Sequence, residues 1–209
     1  MTPSPLLQLL RRRPTTFVLG CDPTPPERAV HPPELMDAGD VFLRRARVSD
    51  APDLFVAYAG DPSATRYLSW PPRQSVAEVE QWLAPRVARW EAGEEYRWVL
   101  VDHPDGDAFG TVTLRRAARG FDLGYALARS RSASGIATRA VRRLMAWVDE
   151  RPAPTVVSAS TDPDNVASTR VLEKCGFQLA RREVASGSRP SLGDELRDSL
   201  IFERCSIHM

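Results

Sequence analysis

The chain has 209 residues, of which 43% are hydrophobic, which suits one domain with a real core and an appendage and argues against a second full domain. Its 28 basic and 27 acidic residues leave a formal net charge of +1. With no global basic field, neither nucleic acid nor an anionic membrane is the expected partner. Arginine supplies nearly all the positive charge, Lys174 being the only lysine, and we attach no function to that bias. Cys21, Cys175 and Cys205 are odd in number and lack paired spacing, which indicates neither a disulfide framework nor a zinc knuckle and fits a reducing cytoplasm. No stretch is apolar for long enough to span a membrane, and Arg11 to Arg13 follow the apolar residues near the start, the wrong order for a signal peptide.

Residues 1–40 contain Pro3, Pro5, Pro14, Pro23, Pro25, Pro26, Pro32 and Pro33, which deny regular hydrogen bonding and predict a largely irregular N-terminal extension. Within it, Thr15-Thr-Phe-Val-Leu19 could pack as an added strand. The compact domain, residues 41–209, starts with a strand at Val41 to Arg47. Ser49-Asp50 opens a first helix with Leu54, Phe55 and Tyr58 on its apolar side, ending near Gly60-Asp-Pro62. Ser75-Val-Ala-Glu78 has the form of a capping box and starts a second helix toward Glu91, which Pro85 is expected to kink or interrupt. Tyr96 to Val101 and Ala108 to Leu114 flank the turn signal His103-Pro-Asp-Gly-Asp107 and read as a hairpin. A third strand, Phe121 to Leu127, leads into a small-residue turn. Beyond it Ile136, Ala137, Ala140, Val141, Leu144, Met145 and Val148 recur at helical spacing. Thr155 to Ser160 is a buried-type strand, Asp164 to Cys175 a helix closed by Gly176, and Ser199 to Phe202 the last strand. This order predicts an α/β fold built on a mixed sheet.

Two segments carry the chemistry: Arg131-Ser-Ala-Ser-Gly-Ile-Ala-Thr-Arg-Ala140 and Asp162-Pro-Asp-Asn-Val-Ala-Ser-Thr-Arg-Val-Leu-Glu-Lys-Cys-Gly-Phe177. A pyrophosphate needs several converging backbone N–H groups, which a helix N-terminus supplies together with a favourable dipole. Ser132, Ala133, Ser134 and Gly135 are small enough to let an anion reach the backbone there. The plain alternative makes Gly135 an ordinary turn residue before a helix. The turn is not a P-loop, since the lysine and second glycine are missing, and G-x-G-x-x-G is missing too. Asn165 and Ser168 sit one turn apart at the start of the next helix, where Asp164 or Asn165 also suits a simple cap.

These motifs resemble the GNAT superfamily of acyl-CoA-dependent N-acyltransferases, nearest to the Rim-like branch of ribosomal-protein N-terminal acetyltransferases. The matching stretches are Phe42-Leu-Arg-Arg-Ala-Arg-Val-Ser-Asp50, Asp61 to Trp70, Leu123-Gly-Tyr-Ala126 through Ala140, Asn165 to Phe177, and Arg197-Asp-Ser-Leu-Ile-Phe202, together covering roughly residues 41–204. The resemblance implies a GNAT fold, a mixed central sheet with helices on both faces and a splayed acyl-CoA cleft. It implies acetyl-CoA as co-substrate, with the turn Ser132, Ala133, Ser134, Gly135, Ile136 and Ala137 holding pyrophosphate through backbone amides. The backbone of Ala126, Leu127 and Ala128 then holds the pantetheine arm, with Asn165 contacting that arm. Ser168 falls where the branch places a hydroxyl near the thioester sulfur. The chain departs from the family in two places: Ser132 stands where a glutamine, arginine or bulky residue is common, and Leu172 where many members carry a tyrosine acid.

The implied reaction is direct attack of a neutral amine on the thioester, with no covalent enzyme intermediate. Asp122 is the first candidate base, acting through water, and Glu95 the second; each could equally be a surface carboxylate. His31, His103 and His208 are too scattered to suggest a metal site. Trp70, Trp82, Trp90 and Trp98 could shape an acceptor groove with Tyr67 or simply pack the core, and Arg115-Arg116 reads as a solvated face. The reading is thus a cytoplasmic N-acetyltransferase acting on a primary amine, either a protein N-terminus or a small molecule, with a homodimer as the resemblance implies. The alternative is a GNAT-like module that binds acyl-CoA as a sensor without turnover.

Overall fold

The computed structural model describes residues 31–206. The expected strand at Thr15 to Leu19, the expected irregular course of residues 1–30, and His208 lie outside the described residues. Among the described residues eight strands form one mixed sheet: β1 Leu35–Asp37, β2 Phe42–Arg45, β3 Glu95–Val101, β4 Gly110–Ala117, β5 Gly120–Leu127, β6 Val156–Thr161, β7 Gln178–Gly187 and β8 Arg197–Cys205. Their order across the sheet is β1-β2-β3-β4-β5-β6-β8-β7. Only β5 and β6 run parallel, and every other neighbouring pair is antiparallel. Ala118 and Arg119 form the two-residue loop that joins β4 to β5, since Ala117 pairs with Gly120.

Alternation along the strands sorts the side chains onto two faces. Trp98 and Leu100 of β3, Val112 and Leu114 of β4, Phe121 and Leu123 of β5, and Val157 and Ala159 of β6 bury into one core. That core is completed by α3 (Ile136–Asp149) and α4 (Val166–Lys174), which contribute Ile136, Val141, Leu144, Val148 and Leu172. On the other face, α1 (Ala51–Leu54), a π-turn at Phe55–Ala59 and α2 (Val76–Ala88) cover the β2–β3 side with a second core of Leu54, Tyr58, Val79, Leu83, Val99 and Val101. Helices therefore lie on both faces, as the resemblance implied.

Local chemistry explains where these elements depart from expectation. Strand β1 lies inside the stretch expected to be irregular, because the prolines stop at Pro33 and three residues suffice to pair with β2. Met36 is buried, and Trp98 Nε1 donates to Pro33 O at 3.0 Å. Strand β7 gave no sequence signal, since most of its side chains are exposed and its pairing with β8 shifts register between Leu179 and Arg181 and again between Glu183 and Gly187. Pro85 neither ends nor visibly interrupts α2: it sits on the solvent face, where water can take the freed carbonyl, and the helix stops at Ala88, short of Glu91. At the start of α2, Ser75 Oγ accepts from Glu78 N at 3.3 Å, while the Glu78 carboxylate accepts from Gln74 N, so the box is only half closed on itself.

Cys175 is a buried free thiol, whereas Cys205 is disulfide-bonded, a pairing that the odd count and irregular spacing did not indicate. Among the described residues no helix is long and apolar enough to cross a membrane.

Candidate active site

Strands β5 and β6 pair from Gly120 with Val156 to Leu123 with Ala159 and then separate. β5 continues to Leu127 bonded only to β4, and β6 continues to Thr161 bonded only to β8. The backbone of Gly124 to Leu127 thus presents an open edge to the gap, which an extended amide-bearing ligand can use as a missing strand. A cavity of about 480 Å³ opens there, and Asp122, Gly124, Tyr125, Ala126, Ser158, Asn165, Ser168 and Leu172 are among its walls. The structure brings Asp122, Ala126, Asn165 and Ser168 to this one cavity. Leu127 and Ala128 lie just beyond its lining, where β5 leads toward the small-residue turn.

After a 3-10 turn at Arg129–Arg131, Ser132 is extended, Ala133 has φ +62° and Gly135 φ +80°, and α3 begins at Ile136. Left-handed residues interleaved with ordinary ones turn successive N–H groups toward one side, and the first turn of α3 adds donors with no intrahelical acceptor. Ser132 to Gly135 are exposed, so an anion can reach these groups. Ser134 Oγ donates to Arg131 O at 2.6 Å and Arg139 Nη1 to Ser134 O at 3.2 Å, which brace the turn from the side. Arg131 is tied to Asp102 and lies over the Phe109 ring.

Asn165 is the N-cap of α4, its Oδ1 accepting from Ser168 N at 3.2 Å, so the capping reading holds. Ser168 Oγ shares a 2.8 Å hydrogen bond with the Tyr125 hydroxyl, which also lies 3.2 Å from Ser168 O. Burial pushes the Tyr125 phenol up to about 12, against the opposing pull of its bond to Ser168. The phenol therefore keeps its proton at neutral pH. Sequence reasoning looked for a phenol on α4 and found Leu172, which is fully buried. Instead the phenol comes from β5, where Tyr125 shares the parity of the core residues Phe121 and Leu123 and so must point toward α4. That parity was the available signal.

Asp122 has the opposite parity, on the open face, and accepts from Ser158 Oγ. Asp122 and Ser168 thus approach the cavity from opposite sides of the sheet and meet only through the gap between β5 and β6. Glu95 does not join them. It is 2% exposed and its Oε1 accepts from Arg97 Nε at 3.1 Å and Nη2 at 2.6 Å, in an ion pair of which Arg97 lines the cavity and Glu95 does not. The tryptophans divide: Trp70 and Trp82 line the cavity with Tyr67, while Trp90 and Trp98 stack edge-on in the core at 4.9 Å. Tyr67 OH donates to Asp164 O at 3.3 Å, bridging the loop after the π-turn to the start of α4. Arg115, expected on a solvated face, is exposed yet lines the cavity. His103 is a turn residue whose Nδ1 accepts from Asp105 N at 3.4 Å, and no His, Cys, Asp and Glu cluster among the described residues could hold a metal.

A strand splayed from its parallel neighbour, followed by an amide-rich turn that opens a helix, agrees with a match of residues 40–178 to the acetyltransferase (GNAT) domain. The chain belongs to the GNAT acetyltransferase family. It is 34% identical over 103 residues to the probable N-acetyltransferase YjcK of Bacillus subtilis (strain 168), an alignment covering 46% of this chain and 57% of that relative, little more than half of its length. Among solved structures, RimL, a ribosomal L7/L12 alpha-N-protein acetyltransferase in complex with coenzyme A, superposes with a TM-score of 0.73 at 18% identity, covering 83% of this chain and 98% of that one. The spermidine N-acetyltransferase of Vibrio cholerae in complex with CoA and spermine gives 0.66 at 16% identity, covering 80% and 96%. At these identities the two structures show a shared fold, and the acceptors named for those two enzymes differ in kind. A GNAT acetyltransferase domain takes acetyl-CoA as co-substrate, and the unpaired edge of β5 and the open amide turn before α3 fit such a ligand.

Proposed function

We propose that the protein transfers an acetyl group from acetyl-CoA to a primary amine, a protein N-terminus or a small molecule, by direct attack. The observation that carries this reading is the gap between β5 and β6, where a carboxylate on one face and a hydroxyl pair on the other reach a single cavity. In this reading the turn Ser132 to Ala137 holds the pyrophosphate through backbone N–H groups. The free edge at Ala126 to Ala128 holds the pantetheine arm, with the Asn165 amide beside it. Acetyl-CoA supplies the thioester, whose carbon is the electrophile.

Asp122, through a water, takes the proton that an alkylammonium must lose before its nitrogen has a free pair. The C–N bond forms as the C–S bond breaks, and backbone donors on β5 stabilise the negative charge that builds on the carbonyl oxygen. Ser168 Oγ gives a proton to the departing thiolate and recovers one from Tyr125 OH, which water reprotonates, while the second proton of the attacking nitrogen leaves to water, so the pair acts as a short relay. The proposal extends to a cytoplasmic homodimer on the family resemblance.

Calorimetric titration with acetyl-CoA, followed by thiol release against a panel of amines and N-terminal peptides, tests the reading. Binding with amine-dependent release is the expected result. Binding without release to any amine would replace the transferase by an acyl-CoA sensor, and no binding would remove the cradle itself.

A further inference from the structure

The cavity wall on the open face of the sheet carries more positive than negative charge. Two of its arginines are neutralised locally: Arg97 by Glu95, and Arg181 by Glu183 at 2.8 Å and Glu203 at 3.1 Å. Arg189 is not. It is 7% exposed, and among the described residues its Nη1 donates only to the neighbouring Ser188 O at 2.7 Å and its buried Nε has no partner. The carboxylate whose field reaches it, Asp162, already accepts from Arg197 Nε at 2.7 Å and from Asp164 N at 2.9 Å. The fold also makes room for this guanidinium, because a Cβ on Gly187 would lie 2.7 Å from Arg189 Nη1. A buried cation with no counter-ion is costly unless a ligand supplies one.

Across the same cavity, Asp122 is a carboxylate whose one side-chain donor among the described residues is the neutral Ser158 hydroxyl, its cross-strand neighbour Arg115 forming no ion pair with it. An arginine and a carboxylate on one cavity, neither held in an ion pair among the described residues, are complementary to a molecule that carries both charges. We infer that the acceptor amine bears an anionic group, a carboxylate or a phosphate, and that Arg189 receives it while the ammonium end faces Asp122. This rests on the transferase reading only for the word acceptor; the anion subsite stands on Arg189 alone. A guanidinium offers paired donors in a plane, which suits the oxygens of either anion. Polyamines, with positive charge at both ends, are disfavoured by the same wall.

The test uses the full chain loaded with CoA and four probes: a C-terminally amidated tripeptide with glutamate at its second and third positions, its amidated glutamine counterpart, phosphoethanolamine, and spermidine. By calorimetry the glutamate peptide is expected to bind at least about tenfold tighter than the glutamine peptide, the size of one charge-assisted pair. Arg189→Gln should collapse that ratio toward one, and Arg189→Lys should restore part of it. Because each variant is its own control through the ratio, a loss of fold is not mistaken for a loss of preference. Tighter binding of phosphoethanolamine than of the glutamate peptide would assign the subsite to phosphate, and the reverse order to carboxylate. Equal binding of the two peptides together with no phosphoethanolamine binding, a preference for spermidine, or a ratio untouched by Arg189→Gln would overturn the inference. Thiol release separates the two levels of the argument. Anion-selective binding without acetyl transfer would sink the transferase and keep the subsite, whereas transfer with no anion preference would keep the transferase and sink the subsite.

Discussion

Along β5, Gly120 to Leu123 are bonded on both sides, to β4 and to β6, whereas Gly124 to Leu127 are bonded to β4 alone. The first half commits its backbone to the fold, and the second keeps backbone groups in reserve. Two glycines mark the difference. A Cβ on Gly120, whose φ is +144°, would lie 2.1 Å from Val156 O, while a Cβ on Gly124 meets nothing within 4 Å. Gly120 is therefore required by its neighbours in the folded chain. Gly124 borders empty space that we assign to a ligand.

Substitutions should separate the two halves sharply. Gly120→Ala is expected to cost about 4 kcal/mol of stability in denaturant unfolding, because β6 or the β4–β5 loop must shift. A loss under about 1 kcal/mol would show that the pairing of β5 with β6 is softer than its geometry suggests. Gly135→Glu places a carboxylate and a strained φ at the cradle, and should weaken acetyl-CoA binding by at least about 100-fold with the fold intact by circular dichroism. Unchanged affinity would detach the turn from the coenzyme. Ser168→Ala should lower kcat by about 30-fold, at the modest end for proton transfer because a thiolate leaves easily, with little change in acetyl-CoA affinity.

Tyr125→Phe keeps the packing and removes only the hydroxyl, so a fall in kcat of about tenfold is expected. It also has a pH signature. Burial raises the folded pKa of Tyr125 to about 12, above the ordinary value of about 10. The preference for the protonated phenol is fully present below pH 10 and is lost as pH rises toward 12. Wild type should therefore lose stability relative to Tyr125→Phe across that window, and parallel alkaline unfolding curves would contradict the burial argument. The smallest effect belongs to Gly124→Ala: stability within about 0.5 kcal/mol of wild type, with a rise in KM as the methyl group enters the cavity. A large destabilisation there would erase the contrast with Gly120.

How much of this was legible in the sequence depended on which physical signal each part leaves. Helix α3 announced itself because its apolar face repeats at helical spacing, and β5 because Phe121 and Leu123 alternate with polar neighbours. The turn with its left-handed residues was visible as a run of small residues before that helix. Strand β7 was invisible because neither of its faces is dry, and β1 because three residues beside two prolines carry no period. At the site, Asn165 and Ser168 were found from their spacing on one helix. Tyr125 and Arg189 were missed for a common reason: each gains its meaning only from a group far away in the chain, Tyr125 from Ser168 on α4 and Arg189 from the cavity it shares with Asp122. Glu95 was misread for the converse reason, since nothing in its local sequence shows that Arg97 claims it inside the protein.

The two-residue loop of Ala118 and Arg119 sets more than the width of a hairpin. Strand side chains alternate with period two, so one added residue that slipped β5 by a single step would exchange its faces. Asp122 would be driven into hydrocarbon, Phe121, Leu123 and Tyr125 would turn outward, and the hydroxyl pair with Ser168 would be lost. The loop thus acts as a parity lock, deciding from the far end of the strand which side of the sheet can do chemistry. Tolerance to length should be lowest there, in a segment that is no part of the cavity lining.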